Sequence, residues 1–335
     1  MRSSARACAL ATVALAAAAA GGCGDGAGDA PSAGREEAAA PGAVERWRTL
    51  SEATVARTEV AAARVGDAAY VVGGFAAPDG ATTAVVERYD LRLDRWSRVA
   101  PLPEPVNHAA AVAYRGALYV VGGYTARNGL GRETAALWRY EPGADRWRRL
   151  AAAPTARGAL AAGVVGDRLY AVGGAAGGRA LRRLEVYDFR ARRWSRAPSM
   201  RIAREHLAAA VHGGALYVLA GRAAGRGNFA SVERYVPARR RWERVPAMRK
   251  PRGGIAAATV ASRVVVVGGE EAAGTIREVE SYDPRARRWR IEPPLPTPRH
   301  GLGAVSHRGS IVVLSGGPTP GMSFSAATEA LRIRG

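Results

Sequence analysis

Lysine is almost missing from this chain: Lys250 is the only one among 335 residues. A formal net charge of +20 is therefore carried almost wholly by arginine. An anionic partner would suit that charge, but so would the coding bias of a GC-rich genome, which also explains the abundant Ala and Gly. No zinc-finger spacing, RNP-type segment or basic-region heptad accompanies it, so no specific nucleic-acid partner is expected. Aromatic residues are scarce, at 7% of the chain against 48% hydrophobic residues in all. The core must be built from small side chains, with a few large rings at fixed points. Cysteine is limited to Cys8 and Cys23, which excludes a disulfide framework in the body of the protein. The N-terminal apolar run, Ala9 to Ala20, is too short to span a bilayer.

That run reads as an address. Arg2 and Arg6 precede it, as in a secretory signal, and it ends in Ala20-Gly21-Gly22-Cys23. The ending resembles the bacterial lipoprotein box, which implies removal of residues 1–22 and lipidation of Cys23. With Cys8 inside the removed segment, Cys23 has no disulfide partner, and a lipid thioether accounts for it. Residues 23–43 carry no apolar period and read as a flexible tether spanning about 25 Å on average. The expected location is outside the cytoplasm, on the membrane through the lipid anchor only.

Residues 44–335 repeat one unit six times. Tryptophan recurs at positions 47, 96, 147, 194, 242 and 289. Glycine pairs recur at Gly73-Gly74, Gly122-Gly123, Gly173-Gly174, Gly268-Gly269 and Gly316-Gly317, with Ala220-Gly221 as a degraded fourth copy. Tyr89, Tyr140, Tyr187, Tyr235 and Tyr282 each lie seven residues before the next Trp, and Leu331 takes the sixth place. From Trp to the glycine pair the distance is 26 residues in five copies and 27 in the last. Only the stretch from glycine pair to Tyr varies widely, from 14 to 18 residues. Constant spacing marks packed strands and variable spacing marks a surface loop. Four strands fit each unit, represented by His108 to Tyr114 (a), Leu118 to Val121 (b), Val85 to Tyr89 (c) and Trp96 to Val99 (d). Strand b is apolar throughout, as expected of a strand covered on both faces.

The order Arg, Leu-Tyr-Val-Val-Gly-Gly, Val-Glu-x-Tyr-Asp, Trp resembles the kelch repeat over essentially all of residues 44–335. The resemblance implies an all-β, six-bladed β-propeller with blades near 51–100, 101–151, 152–198, 199–246, 247–292 and 293–335. The last copy ends after strand c and the first begins with a Trp that precedes any complete unit. Residues 44–50 should therefore supply strand d of the sixth blade and close the ring. A monomer is expected.

The b–c loops and the d-to-a crossings of such blades emerge on one face. The six loops are 75–83, 124–133, 175–180, 222–229, 270–275 and 318–327. At the start of strand a, Arg57, Arg157, Arg204, Arg252 and Arg299 share a repeat position that Val106 fills in blade two. The next two positions place Glu59, His108, Glu205, His206 and His300 at the channel mouth. Together with the loop aromatics Phe75, Tyr124 and Phe229, these form the candidate ligand-binding set. An Arg ring with His and Glu could hold a carboxylate or phosphate and supply an acid–base pair. The alternative for each arginine is structural, as an ion pair or inter-blade hydrogen bond belonging to the repeat. Arg204, Glu205 and His206 are the least repeat-like group, and so the first choice for ligand contact. His108, His206 and His300 are a residue set that zinc takes, but ligands must come within about 2 Å of one ion and a six-bladed channel reads as too wide. No metal or other cofactor is expected.

Fold alone does not select a function. The first reading is a non-enzymatic module that binds a protein or an acidic glycan through the b–c loop face. The second is a sugar-modifying enzyme resembling bacterial kelch-type sialic acid epimerases, in which Arg204, Glu205 and His206 would be catalytic. The third is a structural component of an envelope assembly. A copper radical oxidase of the galactose oxidase type is excluded, because its Cys–Tyr cross-link needs a cysteine that the repeats lack.

Overall fold

The computed structural model describes residues 46–335. The signal, Cys23 and tether readings lie outside them. Among the described residues no helix is long and apolar enough to cross a membrane.

The described chain is all-β, and its larger antiparallel sheets share one plan, beside two small sheets of three and two strands. In sheet 1, strands a to d are Ala61–Val65, Ala68–Val72, Val86–Asp90 and Arg95–Val99, hydrogen-bonded in that order. Sheets 2 to 5 repeat the plan, with strand a at Ala110–Tyr114, Gly158–Val165, Ala208–His212 and Gly253–Val260. In the sheet that begins at Gly303–His307, the outermost strand is Arg48–Leu50, paired antiparallel to Thr328–Arg332 with Arg48 opposite Ala330. Strand b is buried at all five positions in sheets 1, 2 and 4, as its unbroken apolar sequence requires. Strand a starts at Ala110 and not at His108, because His108 adopts a left-handed backbone.

Three sets of hydrogen bonds join each sheet to the next. At the rim, the indole N–H of Trp96, Trp147, Trp194, Trp242 and Trp289 donates to Ser51, Ala100, Ala151, Pro198 and Pro246, where the preceding sheet's strand d ends. Trp47 does the same to Pro293 at 2.9 Å. Each strand-d Trp also lies 4.8–5.3 Å from its own sheet's Tyr, ring centre to ring centre. Further in, the second residue of each glycine pair donates its N–H to the next sheet: Gly74 to Val106, Gly123 to Arg157, Gly174 to Arg204, Gly221 to Arg252, Gly269 to Arg299 and Gly316 to Arg57. The first residue has a left-handed backbone, and a Cβ on Gly73 would stand 2.1 Å from the Val106 carbonyl oxygen.

This geometry corrects the register of the last repeat. Gly316, not Gly317, makes the inter-sheet bond, and Ser315 has the left-handed φ of 54° that belongs to the first member of the pair. Ser315-Gly316 is thus the sixth pair, a second degraded copy beside Ala220-Gly221, and it lies 26 residues after Trp289 like the rest.

The innermost set runs from one sheet to the next near the start of strand a. His108 N–H bonds to Glu59 O, Ala159 to His108, His206 to Ala159, Gly254 to His206 and Gly301 to Gly254, and Val60 N–H returns to Gly301 O. The six residues Glu59, His108, Ala159, His206, Gly254 and Gly301 all have left-handed φ, between 50° and 67°. Below them the strands a line a cavity of about 130 Å³ with alanines, including Ala62, Ala111, Ala162, Ala209, Ala257 and Ala304.

Candidate functional site

The five repeat-position arginines do not face the channel mouth. Each is at most 1% exposed and turned into its own sheet. Arg57 pairs with Glu87 at 2.6 Å, Arg204 with Glu233 at 2.7 Å, Arg252 with Glu280 at 2.6 Å and Arg299 with Glu329 at 2.9 Å, and Arg157 pairs closely with Glu185. Other N–H groups of the guanidinium ends brace backbone carbonyls between strands b and c, such as Gly73 and Val85 for Arg57, while the Nε–H of Arg57, Arg157, Arg204 and Arg299 has no partner. Burial pulls all five guanidinium groups below their ordinary pKa, Arg299 to about 10, against the pull of the glutamates. The expectation of an arginine rim for ligand capture is corrected on this point, for Arg204 as for the others. The structural alternative is the geometry found, as an ion pair within the sheet. Its signal is present in the sequence: where Val106 replaces the arginine, Trp138 replaces the strand-c glutamate, and the two pack in one apolar cluster.

Phe75 and Tyr124 are also displaced from their expected role. Both are buried, and their edges clamp the His108 ring with centroids 5.7 Å away. Phe229 is half-buried between the guanidinium groups of Arg204 and Arg226.

What occupies the mouth is a layered polar cluster. The inner layer is Glu59, His108 and His206, side chains of the left-handed ring. His108 Nε2 stands 3.0 Å from His206 Nε2 and 3.1 Å from Glu59 Oε2. The channel is thus narrow enough at this level for two imidazoles to touch, contrary to the width inferred from blade number. His300 sits one position earlier in its repeat than His108 and His206, and so belongs to an outer layer with Asn107 and Glu205. Each outer residue supports an inner one: Asn107 Oδ1 faces His108 Nδ1 at 2.6 Å, Glu205 closely contacts His206 Nδ1, and His300 Nδ1 meets Glu59 Oε1 at 3.1 Å. Arg222 then ties Glu205 to Glu270, at 3.2 and 2.7 Å, and Glu270 lies 3.6 Å from His300. Asn107, Arg222 and Glu270 were not singled out from the sequence. The last two begin b–c loops, which the variable spacing marks as loops without ranking any residue within them.

The network fixes the imidazole tautomers. Thr82 donates its hydroxyl to Ala126 O and so accepts from Asn107 Nδ2, which leaves Asn107 Oδ1 as the atom facing His108. His108 therefore carries its proton on Nδ1. His206 does likewise against the Glu205 carboxylate. Both Nε2 lone pairs then point at one another and at a Glu59 carboxylate oxygen.

Burial drives the His108 pKa down to about 4, with Glu59 pulling the other way, so this ring is neutral at pH 7. Burial would raise the Glu59 carboxyl, but attraction from the surrounding imidazoles when they are protonated, together with the hydrogen bond to His300, outweighs it and lowers the Glu59 pKa. For His300, burial works against the proton, and Glu59 and Glu270 more than restore it, so the pKa is raised. Glu205 is lowered by His206 and Arg222 despite its burial.

A family model described as the KLHDC2/KLHL20/DRC7 Kelch-repeats domain matches residues 59–251, and a Kelch motif model matches residues 251–296. "Kelch-like protein terF" of Aspergillus terreus (strain NIH 2624 / FGSC A1156) is 32% identical over 148 residues, 39% of this chain. The chain covers only 31% of that relative's length. The solved structure titled "Structure of YjhT" superposes with a TM-score of 0.74 at 15% identity, over 85% of this chain and 97% of that one. At that identity the likeness speaks for the fold alone. With family models covering more than half its length, this chain belongs to the kelch-repeat family, and its sheets are those of a kelch β-propeller.

Proposed function

We propose that this chain is a six-bladed propeller, closed by Arg48–Leu50 and tethered outside the cytoplasm through Cys23, that binds an acidic glycan or acidic protein surface through its b–c loops. The carrying observation is an asymmetry of charge. Arg127, Arg132, Arg179 and Arg226 are exposed and fall in the loops of three consecutive blades, the second to fourth. The loops of blades one, five and six contain no arginine or lysine. The buried pairs Arg57–Glu87 and their equivalents leave the anion-binding role to this arc. Guanidinium groups suit carboxylate and sulfate because they present paired N–H donors to paired oxygens.

Reversing the arc with Arg127→Glu, Arg132→Glu, Arg179→Glu and Arg226→Glu should weaken binding to acidic envelope polysaccharide at least about tenfold, since each lost surface contact weakens both attraction and encounter. Biolayer interferometry on immobilised polymer reads it. Equal affinity of wild type and quadruple variant would remove the basis for the arc.

A second reading, a sugar-modifying enzyme, draws on the Glu205–His206 pair beside the channel cavity, a carboxylate–imidazole couple able to move a proton. It differs from the first in requiring a bound acidic sugar to be chemically altered, which NMR of the incubated sugar would show.

A further inference from the structure

The inner layer at the channel mouth has an electrostatic need that the protein does not meet by itself. Three acceptor atoms converge: His108 Nε2, His206 Nε2 and Glu59 Oε2, all within 4.8 Å of one another. In the Nδ1–H tautomers that Asn107 and Glu205 favour, none of them has a proton to offer. Lone pairs 3.0 Å apart repel unless a positive centre stands between them. The surrounding charge points the same way. Glu59, Glu205 and Glu270 face Arg222 and, when protonated, His300, which leaves one or two negative charges uncompensated in a largely buried cluster. Buried charge is normally paired or bound to metal.

We propose that Glu59, His108 and His206 are the protein ligands of a divalent transition-metal site, with zinc the first candidate. Two imidazoles and one carboxylate are a ligand set that such ions favour. Ligand atoms bonded at about 2.0–2.2 Å to one ion are about 3.0–3.5 Å apart for angles between right and tetrahedral. The 3.0 and 3.1 Å separations of His108 from His206 and from Glu59 fall in that range, and Glu59 and His206, which lie wider apart but within 4.8 Å, would draw together on the ion. Each ligand has its own outer partner, Asn107, Glu205 or His300, as ligating histidines and carboxylates generally do. The backbone adds an independent observation. All three ligands occupy left-handed positions of the kind that Gly254 and Gly301 adopt without strain; Ala159 is the one other side chain there. A Cβ on Gly301 would stand 2.6 Å from the Glu59 carboxyl carbon, so the glycine also makes room for the ligand. The three residues border the alanine-lined cavity, so a remaining coordination position opens to it and would hold water or a small ligand. This site does not depend on what the loop arginines bind.

The test uses tag-free full-length chain with Cys8 and Cys23 alkylated, stripped with chelator and then offered Zn²⁺ or Co²⁺. Wild type should retain one ion per chain after gel filtration. His206→Gln and Glu59→Gln should each lower affinity, measured by competition with a chromophoric chelator, at least about 100-fold. Asn107→Leu, which changes only a positioning residue, should lower it about 10- to 100-fold. His307→Gln, remote from the mouth, should bind like wild type. In wild-type chain labelled with ¹⁵N-histidine, Zn²⁺ should shift two Nε2 resonances and no more. Failure of wild type to retain zinc, unchanged binding in His206→Gln, or unmoved imidazole resonances would overturn the proposal, leaving a shared proton between the two rings. The NMR reading stands even if a ligand variant fails to fold.

Discussion

At the scale of single residues, His108 and His300 make opposite demands on pH. His108 is held neutral, with its pKa at about 4 in the fold against 6.5 for an ordinary histidine. Between those values the unfolded chain binds a proton that the folded chain refuses, so stability declines as pH falls from about 6.5 toward 4. His300 has a raised pKa. Its contribution is complete below 6.5 and is lost as pH rises through its folded value. The groups that face them are Glu59, His206, Glu205 and Arg222 for His108, and Glu59 and Glu270 for His300. Metal-free protein should therefore show its highest melting temperature near pH 6.5, with a limb on either side. In His300→Gln the alkaline limb should flatten while the acid limb between pH 6.5 and 4.5 persists. A wild-type melting temperature flat over that acid interval would contradict a neutral His108. Glu59, lowered below the ordinary carboxylate range, adds a further loss only below about pH 4.5.

At the scale of elements, the Arg–Glu pairs and the short strand Arg48–Leu50 do different work. The pairs fasten the start of strand a to strand c of the same sheet, and their burial makes each partner necessary to the other. The strand joins the two ends of the repeat region. It is held by three residue pairings to Thr328–Arg332 and by the Trp47 indole on Pro293. Deleting residues 44–50 removes a large anchoring ring and leaves Thr328–Arg332 as an open edge. Loss of one such ring costs about 3–5 kcal/mol. In a body of this size that is a drop of about 10 °C in melting temperature. Differential scanning fluorimetry of the truncated chain reads it, and an unchanged melting temperature would disprove closure by this strand.

At the scale of the whole molecule, the two ends of the working arrangement lie far apart in sequence. The proposed anchor is at Cys23, and the loop arc runs from Arg127 to Arg226. Cys23→Ser should shift the protein from the membrane fraction to the soluble extracytoplasmic fraction without lowering its melting temperature, since lipidation is the only proposed membrane contact. Immunoblotting of cell fractions distinguishes this from a protein held by other means, which would stay with the membrane.

The repeat was open to reading in one dimension because strand b, buried on both faces, recurs at fixed intervals. Trp, Tyr and the glycine pair each answer a local steric demand that recurs every blade. The all-β class, the four strands per unit and the identity of Glu59, His108, Glu205, His206 and His300 as mouth residues all follow from that register. The slip of the last glycine pair, Gly317 for Gly316, arises because Ser315 fills a left-handed position normally marked by glycine. Tertiary structure alone decided which way side chains point. Arg57 and its equivalents turn inward because a strand-c glutamate, some thirty residues later, waits behind each of them. His108 and His206 meet although 98 residues separate them, because left-handed backbones at the ring's inner edge aim both at one point. Local sequence fixes what a residue can do, but convergence on a common centre is a property of the assembled fold.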